Sequence, residues 1–365
     1  MAKYNILVVT SPHRSGVEYH RQLVPHAYLR SNANFEIATI NEIESESFTH
    51  DGKTIMMDDF LKSFQLVQFS RTVSTGWNMD KVIAKLNRLG IVSVLDIDDY
   101  WHYGRTHVLY AQHLKDEVPA KTLRSIKMVD HITTTTEYFA DTIKHYSKNV
   151  TVLENAINPD EPQFEIKKTQ SDSVRFGWLG SQCHILDMGL LSKPLFDLNK
   201  LGLKYKIVFG GYMPNEIGKF FEVVLTSNGA LHPDKYIKSE WKDCFEYAAV
   251  YNSFDVLLAP LTDNKFNHCK SEIKLIEAGF MKKGAIVSKI MPYTIIGRNK
   301  KNCLMVKPNK HHEWLTAFKY YIDNPNAVED MAEQLYDDVR ETYHIKTVNE
   351  KRVDLYTRLI EAKNK

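Results

Sequence analysis

Lys270, Lys274 and Glu277 follow one another at spacings of four and three in the stretch FNHCKSEIKLIEAGF. On a helix that spacing lays the three charges along one stripe, with Ile273, Leu275 and Ile276 on the other side. A helix starting near Asn267 would offer its unsatisfied N–H groups and the positive end of its dipole at residues 267–270, a place where a diphosphate can be held. Lys270 adds a full charge there and Lys274 follows one turn on. The Glu277 carboxylate, further along, could accept both hydroxyls of a ribose. The plainer reading is a solvated helix face with a Lys–Glu pair worth about 0.2–0.5 kcal/mol. Position argues for chemistry: FDVLLAPLTD, just before, reads as a buried strand, so this loop and helix leave the carboxyl end of a sheet strand, where open α/β sheets bind ligands.

A second acidic set lies in LDIDDYW, with Asp96, Asp98 and Asp99. An Asp-x-Asp can hold Mg²⁺ or Mn²⁺ on a diphosphate; equally, such carboxylates cap the following turn and pair with basic neighbours. Four threonines before Glu137 in TTTTEYFADTI read as a helix start. The chain has no Gly-x-Ser-x-Gly elbow, Walker loop or His-Glu-x-x-His, which removes the common serine hydrolase, P-loop and zinc protease readings.

The elements that must position these residues alternate strand and helix. YNILVVTSP, FEIATI, LVQFSR, IVSVLDIDD, HITTTT and NVTVLENAIN read as strands of a parallel sheet, and MDKVIAKLNRLG reads as a helix closed by Gly90. After SGVEYHRQLVP, Pro25 must sit in a helix's first turn or kink it. NPDEPQFEIKKTQSDS has the composition of a linker, and the pattern then restarts with VRFGWLGS, KYKIVFGGY, FDVLLAPL and GAIVSK. With 365 residues, two domains are expected: residues 1–160, residues 161–335, and C-terminal helices over 336–365 that pack back on the first. Trp314, Phe318 and Tyr321 fall on one helical spacing, as bracing helices or a plain helical layer would require.

Composition fits a soluble globular protein, with 43% apolar and 25% charged residues, and a net charge of +2 that demands no polyanionic partner. No run approaches the ~20 apolar residues of a membrane span, and the start lacks the features of a secretion signal. Cys183, Cys244, Cys269 and Cys303 form no CxxC pair, so free thiols in a reducing, cytoplasmic setting are expected.

LLAPLTDNKFNHCKSEIKLIEAGFMKKGAIVS resembles the donor-binding segment of retaining nucleotide-sugar glycosyltransferases of GT-B architecture, the group 1 or family 4-like type. The resemblance implies an α/β protein of two facing Rossmann-like domains with parallel sheets and C-terminal bracing helices. It assigns Glu277 to the ribose, within an Asn-x-x-Lys-Ser-x-x-Lys-x-x-Glu pattern made by Asn267, Lys270, Ser271, Lys274 and Glu277; many members carry a second Glu where this chain has Cys269. FGWLGSQCHILDMGLL is similar to the segment opening the donor domain, which implies that Gly180 and Ser181 approach the diphosphate with His184 near it; otherwise Ser181 merely caps the next helix. SGVEYHRQLVP is similar to the Gly-loop of the acceptor domain, carrying over Gly16 and, beside it, Tyr19, His20 and Arg21. Asp-rich, Trp-ending segments like LDIDDYW occur in bacterial and phage transferases of this type, which puts Asp96, Asp98 and Asp99 on the acceptor side with Asp98 orienting an acceptor hydroxyl.

The reaction so implied moves a sugar from a nucleotide sugar, most simply a UDP-sugar, to an acceptor hydroxyl with retention and without a metal or other cofactor. Lys270 would meet the charge that develops on the leaving diphosphate. The acceptor stays open among a glycan, a small molecule and DNA with a hydroxylated base. A nucleotide-sugar epimerase and a non-catalytic nucleotide-binding protein are the remaining alternatives.

Overall fold

The structure is a computed structural model that describes residues 3–12, 15–167 and 169–365, with residue 182 described by its backbone alone. The chain forms two compact units. One comprises the chain up to Tyr103, Ala111–Ala156 and Ile345–Lys365, and the other Gly104–Tyr110 and Ile157–His344.

The first unit carries β1 (Tyr4–Val9), β2 (Phe35–Ile40), the antiparallel hairpin of β3 (Ser47–His50) and β4 (Lys53–Met56), β5 (Leu66–Ser70), β6 (Val92–Ile97), β7 (His131–Thr134) and β8 (Val150–Val152). Its six-stranded sheet is parallel in the order β2-β1-β5-β6-β7-β8. Every residue of β5 and β6 is buried, Gln68, Ser93 and Asp96 included, which is why both read as largely apolar runs rather than as a strict apolar–polar alternation. Gly90, at φ +70°, ends the helix Met79–Arg88 in a left-handed turn. Thr136 caps the helix Glu137–Lys144 by accepting the N–H of Phe139 at 3.2 Å. Pro25 lies in the first turn of the helix Val24–Leu29, where its missing N–H costs nothing. The helix Ile345–Lys363 completes this unit: Asn349 donates to the carbonyl of Pro25 at 2.9 Å, Tyr356 donates to Gln68 on β5, and Lys363 pairs with Asp130 at 2.7 Å.

The second unit carries β9 (Val174–Leu179), β10 (Tyr205–Tyr212), β11 (Tyr236–Glu240), β12 (Val256–Ala259), β13 (Gly284–Ser288) and β14 (Leu304–Val306), parallel in the order β11-β10-β9-β12-β13-β14. That is the doubly wound order of dinucleotide-binding folds. The helices His311–Asp323 and Asn326–Val339 belong to this unit. Trp314, Phe318 and Tyr321 are buried in its core, with Phe318 edge-on to Phe176 of β9. A Cβ on Gly177 would come within 2.1 Å of the Phe254 ring, so only glycine lets β9 pass that side chain. β3, β4, β11 and β14 were not read from the sequence; they are short, and β3, β4 and β11 are largely exposed, so they lack the apolar run that marks the others. Among the described residues no helix is long and apolar enough to cross a membrane.

Candidate functional site

Strand order reverses between β9 and β12 in the second sheet, and the loops that leave these strands flank the crevice where such sheets take ligands. Asp187, in the first turn of the helix Ile185–Lys200, ties those two loops together. One of its oxygens accepts from Nδ1 of His184 at 2.9 Å. The other accepts from the N–H of Thr262 at 2.7 Å, its hydroxyl at 2.8 Å and Nδ2 of Asn267 at 2.9 Å. Burial alone would raise this carboxyl, but the hydrogen bonds from His184 and Thr262 and the charge on His184 outweigh it and hold it below the usual range. Two of the residues picked from sequence, His184 and Asn267, therefore meet on a third that was quoted only as part of a motif.

Gly180 makes that meeting possible: a Cβ there would lie 2.8 Å from the Trp178 ring and 3.4 Å from Cδ2 of His184. Ser181 precedes the turn Gln182–His184 but its hydroxyl makes no capping bond, and the residue is exposed. The carboxylate of Asp187 bound to Nδ1 fixes the His184 ring and directs Nε2 away from the anchor. Asp187→Asn removes a charged acceptor from four hydrogen bonds of about 1.5–3 kcal/mol each in the strongest case. It should lower the melting temperature by several degrees, as differential scanning fluorimetry would read.

The helix expected to begin near Asn267 begins later. A short helix, Lys265–His268, is capped by Asn264, whose side chain accepts the N–H of Asn267 at 2.9 Å. The N–H groups of His268, Cys269 and Lys270 go to the carbonyls of Asn264, Lys265 and Asn267. All four amides assigned to the diphosphate are thus already bonded. The chain then turns, and the longer helix runs Ile273–Phe280 with Glu272 at its amino end. The amino-terminal dipole accordingly lies about five residues downstream, next to Lys274 rather than Lys270.

Lys270 sits in the turn between the two helices, its Nζ 4.5 Å from the centroid of the Phe266 ring. That ring in turn meets His107 edge-on at 5.5 Å. Ser271, half-buried, continues the same turn. Lys274 and Glu277 do meet, at 3.0 Å. Glu277 is 1% exposed, and beyond Lys274 it accepts from the phenols of Tyr247 and of Tyr251, the latter at 2.7 Å. Burial lowers the Lys274 ammonium to about 8. The two tyrosines stand four residues apart in the 3-10 segment Tyr247–Ser253, and their i, i+4 spacing before β12 was the available sign of them.

In the first sheet the order reverses between β1 and β5. Glu18, in the π-helical turn Glu18–Leu23, bridges the loops there: it accepts from the N–H of Ser11 and from the hydroxyls of Ser70 and Thr72, each at 3.3 Å. Sequence reading passed over it. Asp98 lies just past β6, half-buried, with Arg71 3.9 Å away. Burial and the neighbouring Asp99 carboxylate push Asp98 up to about 6, against the pull of Arg71. Asp99 is half-buried, and Gly16 is exposed with open space around a notional Cβ.

Four residues expected on the acceptor side turn inward instead. Arg21 and Asp96 are each 1% exposed and form a two-pronged pair, Nε to Oδ1 at 3.0 Å and Nη2 to Oδ2 at 2.7 Å. Arg21 also donates to the carbonyl of Leu153 and to Asn155, and Asp96 accepts from Thr133 at 2.6 Å. Their polar atoms are occupied within the core. Asp96, one member of the Asp96-x-Asp98 pair, is thus engaged by Arg21 and Thr133. Tyr19 and His20 are also buried, with their rings edge-on at 4.9 Å.

No protein-family model matches the chain, and no curated protein sequence does. Solved structures do. Sucrose-phosphate synthase from Thermosynechococcus elongatus is 12% identical with a TM-score of 0.68, over 98% of this chain and 100% of that one. A glycosyltransferase from Rickettsia africae is 12% identical with a TM-score of 0.67, over 99% of each chain. Anabaena HepE, solved with UDP and glucose, is 10% identical with a TM-score of 0.69, over 98% and 100%. The chain has the GT-B fold. Likeness at such low identity is one of fold. Within the GT-B fold, the two places where strand order reverses are the loops joined by Asp187 and by Glu18.

Proposed function

We propose that this protein is a glycosyltransferase that moves a sugar from a UDP-sugar to an acceptor hydroxyl, with retention and without a metal. In this reading residues 161–335 bind the donor and residues 1–160 the acceptor. The observation that carries it is the Asp187 knot, which holds His184 and Asn267 at the crevice of a dinucleotide-type sheet. HepE, of the same fold, was solved with UDP and glucose, which favours UDP as the nucleotide.

Glu277 would take the ribose, with Tyr247 or Lys274 giving way to its hydroxyls. Gly180 and Ser181 would admit the diphosphate beside His184, and the amino end of the helix Ile273–Phe280 together with Lys274 would meet its charge. Lys270 and Ser271, in the preceding turn, would close on the leaving phosphate. Breaking the glycosidic bond places negative charge on that phosphate, so a fixed cation there lowers the barrier. The phosphate oxygen then takes the acceptor's proton on the same face, which needs no enzymic nucleophile. Asp98, its carboxyl pushed up to about 6 by burial and the Asp99 charge, and Asp99 would orient the acceptor hydroxyl near Gly16.

Calorimetric titration of UDP, UDP-sugars and other nucleoside diphosphates, followed by product mass with glycan, small-molecule and hydroxymethylated-DNA acceptors, tests the reading. Absence of binding by every nucleotide would end it, and sugar isomerised without acceptor would identify an epimerase. Lys270→Ala should lower kcat about a hundredfold while changing UDP affinity less than tenfold. Unchanged turnover would remove Lys270 from the leaving-group role.

A further inference from the structure

One edge of the second sheet is β11, with sequence YIKSE followed by Trp241; β14 forms the other. Trp241 donates its N–H to the carbonyl of Tyr212 on β10 at 2.9 Å. Along a parallel strand the bonding direction alternates, so Ser239 and Ile237 also turn their N–H and C=O groups toward β10. Those of Lys238 and Glu240, with the carbonyl of Tyr236, therefore face outward, a short row of donors and acceptors that another strand can meet, while the N–H of Tyr236 is already given to the Pro233 carbonyl. Beside this row stand Ile237, 37% exposed, and Trp241, at 57% the most exposed of the large apolar side chains among the described residues.

An edge lysine such as Lys238 ordinarily guards against pairing. Here the spacing of charges decides otherwise. An antiparallel copy of β11 can bond only in registers that set outward-facing residues opposite one another. Centring the two-fold axis on Lys238 sets lysine against lysine, and centring it on Glu240 sets glutamate against glutamate. Centring it on Ser239 sets Lys238 opposite Glu240 twice and Ile237 opposite Trp241, just past the strand, twice. Opposite charges and β-branched–aromatic pairs are the combinations that stabilise neighbouring strands. Lys238 already leans over the Tyr212 ring at 4.0 Å and reaches Glu222 at 3.0 Å, so its head is held on the face where the partner's Glu240 would arrive.

We propose that β11 is an interface between two copies of this chain, paired antiparallel about Ser239 so that the two second-unit sheets become continuous. The contact is isologous and closes on itself, as two-fold dimers do. It is independent of the enzymatic reading.

Sedimentation velocity on the full chain should show a dimer at tens of micromolar. Glu240→Lys, which sets lysine against lysine, should weaken dimerisation at least a hundredfold, and adding Lys238→Glu should restore it by exchanging the two charges. A monomeric parent chain, or a dimer untouched by Glu240→Lys, would overturn the proposal. Should the double variant fail to fold, Ser239→Cys decides independently. At a non-hydrogen-bonded pair the Cα atoms stand about 4.5 Å apart, within disulfide range, so mild oxidation should yield a covalent dimer that the parent chain, with its own four cysteines, does not form. Failure of Ser239→Cys to cross-link while the protein remains dimeric would place the interface elsewhere.

Discussion

Glu277→Ala should weaken UDP binding about a hundredfold. Two ribose hydroxyls donating to one carboxylate are charge-assisted bonds of about 1.5–3 kcal/mol each, and a loss of about 2.7 kcal/mol is two decades in Kd. The same change removes the acceptor for Tyr247 and Tyr251 and leaves the Lys274 ammonium buried without its counter-charge, so the melting temperature should fall too. Tyr251→Phe separates the two effects. It removes one phenol from Glu277 and keeps the carboxylate, so UDP affinity should stay within about threefold while stability drops by about 1 kcal/mol. Calorimetry on both variants checks this. If Glu277→Ala remains folded and binds UDP as the parent does, the ribose lies elsewhere.

Arg21→Ala should be the most damaging single change in the first unit. It strands the Asp96 carboxylate in the core and takes the donor from the Leu153 carbonyl and Asn155. Breaking a buried pair from one side costs about 3–5 kcal/mol, whereas replacing both members by apolar groups is often nearly neutral. In a unit of this size that is a fall of about 10 °C in the melting transition. Arg21→Met combined with Asp96→Leu should recover most of it. Were Arg21 an acceptor ligand instead, the single variant would raise the acceptor KM and leave the melting curve where it was.

The two cases show what the sequence carried and what it did not. Strands buried on both faces, such as β5, β6, β9 and β12, announce themselves as largely apolar runs, and their alternation with helices was enough for two parallel α/β units, while the GT-B expectation came from the resemblance carried by LLAPLTDNKFNHCKSEIKLIEAGFMKKGAIVS. Chemistry-bearing types at the ends of those strands were legible too, and His184 and Asn267 both bond to Asp187. The direction in which a side chain points was not. Arg21 and Asp96 have the types of surface ligands, but each finds the other across 75 residues, a long-range pairing that no local spacing reveals. The helix start near Asn267 failed for a local reason: Asn264, a strong cap, begins a separate short helix whose amides close on themselves. Asp187 was visible only as a motif letter because its role rests on Thr262, a distant residue with no pattern of its own.

The first unit is discontinuous: its core is closed by the helix Ile345–Lys363, whose Asn349 and Tyr356 reach Pro25 and Gln68. During synthesis those residues leave the ribosome after the whole of 157–344. The first sheet must therefore wait, incompletely covered, while the second unit folds ahead of it, and a nascent chain halted before residue 345 would present the apolar surface that chaperones recognise.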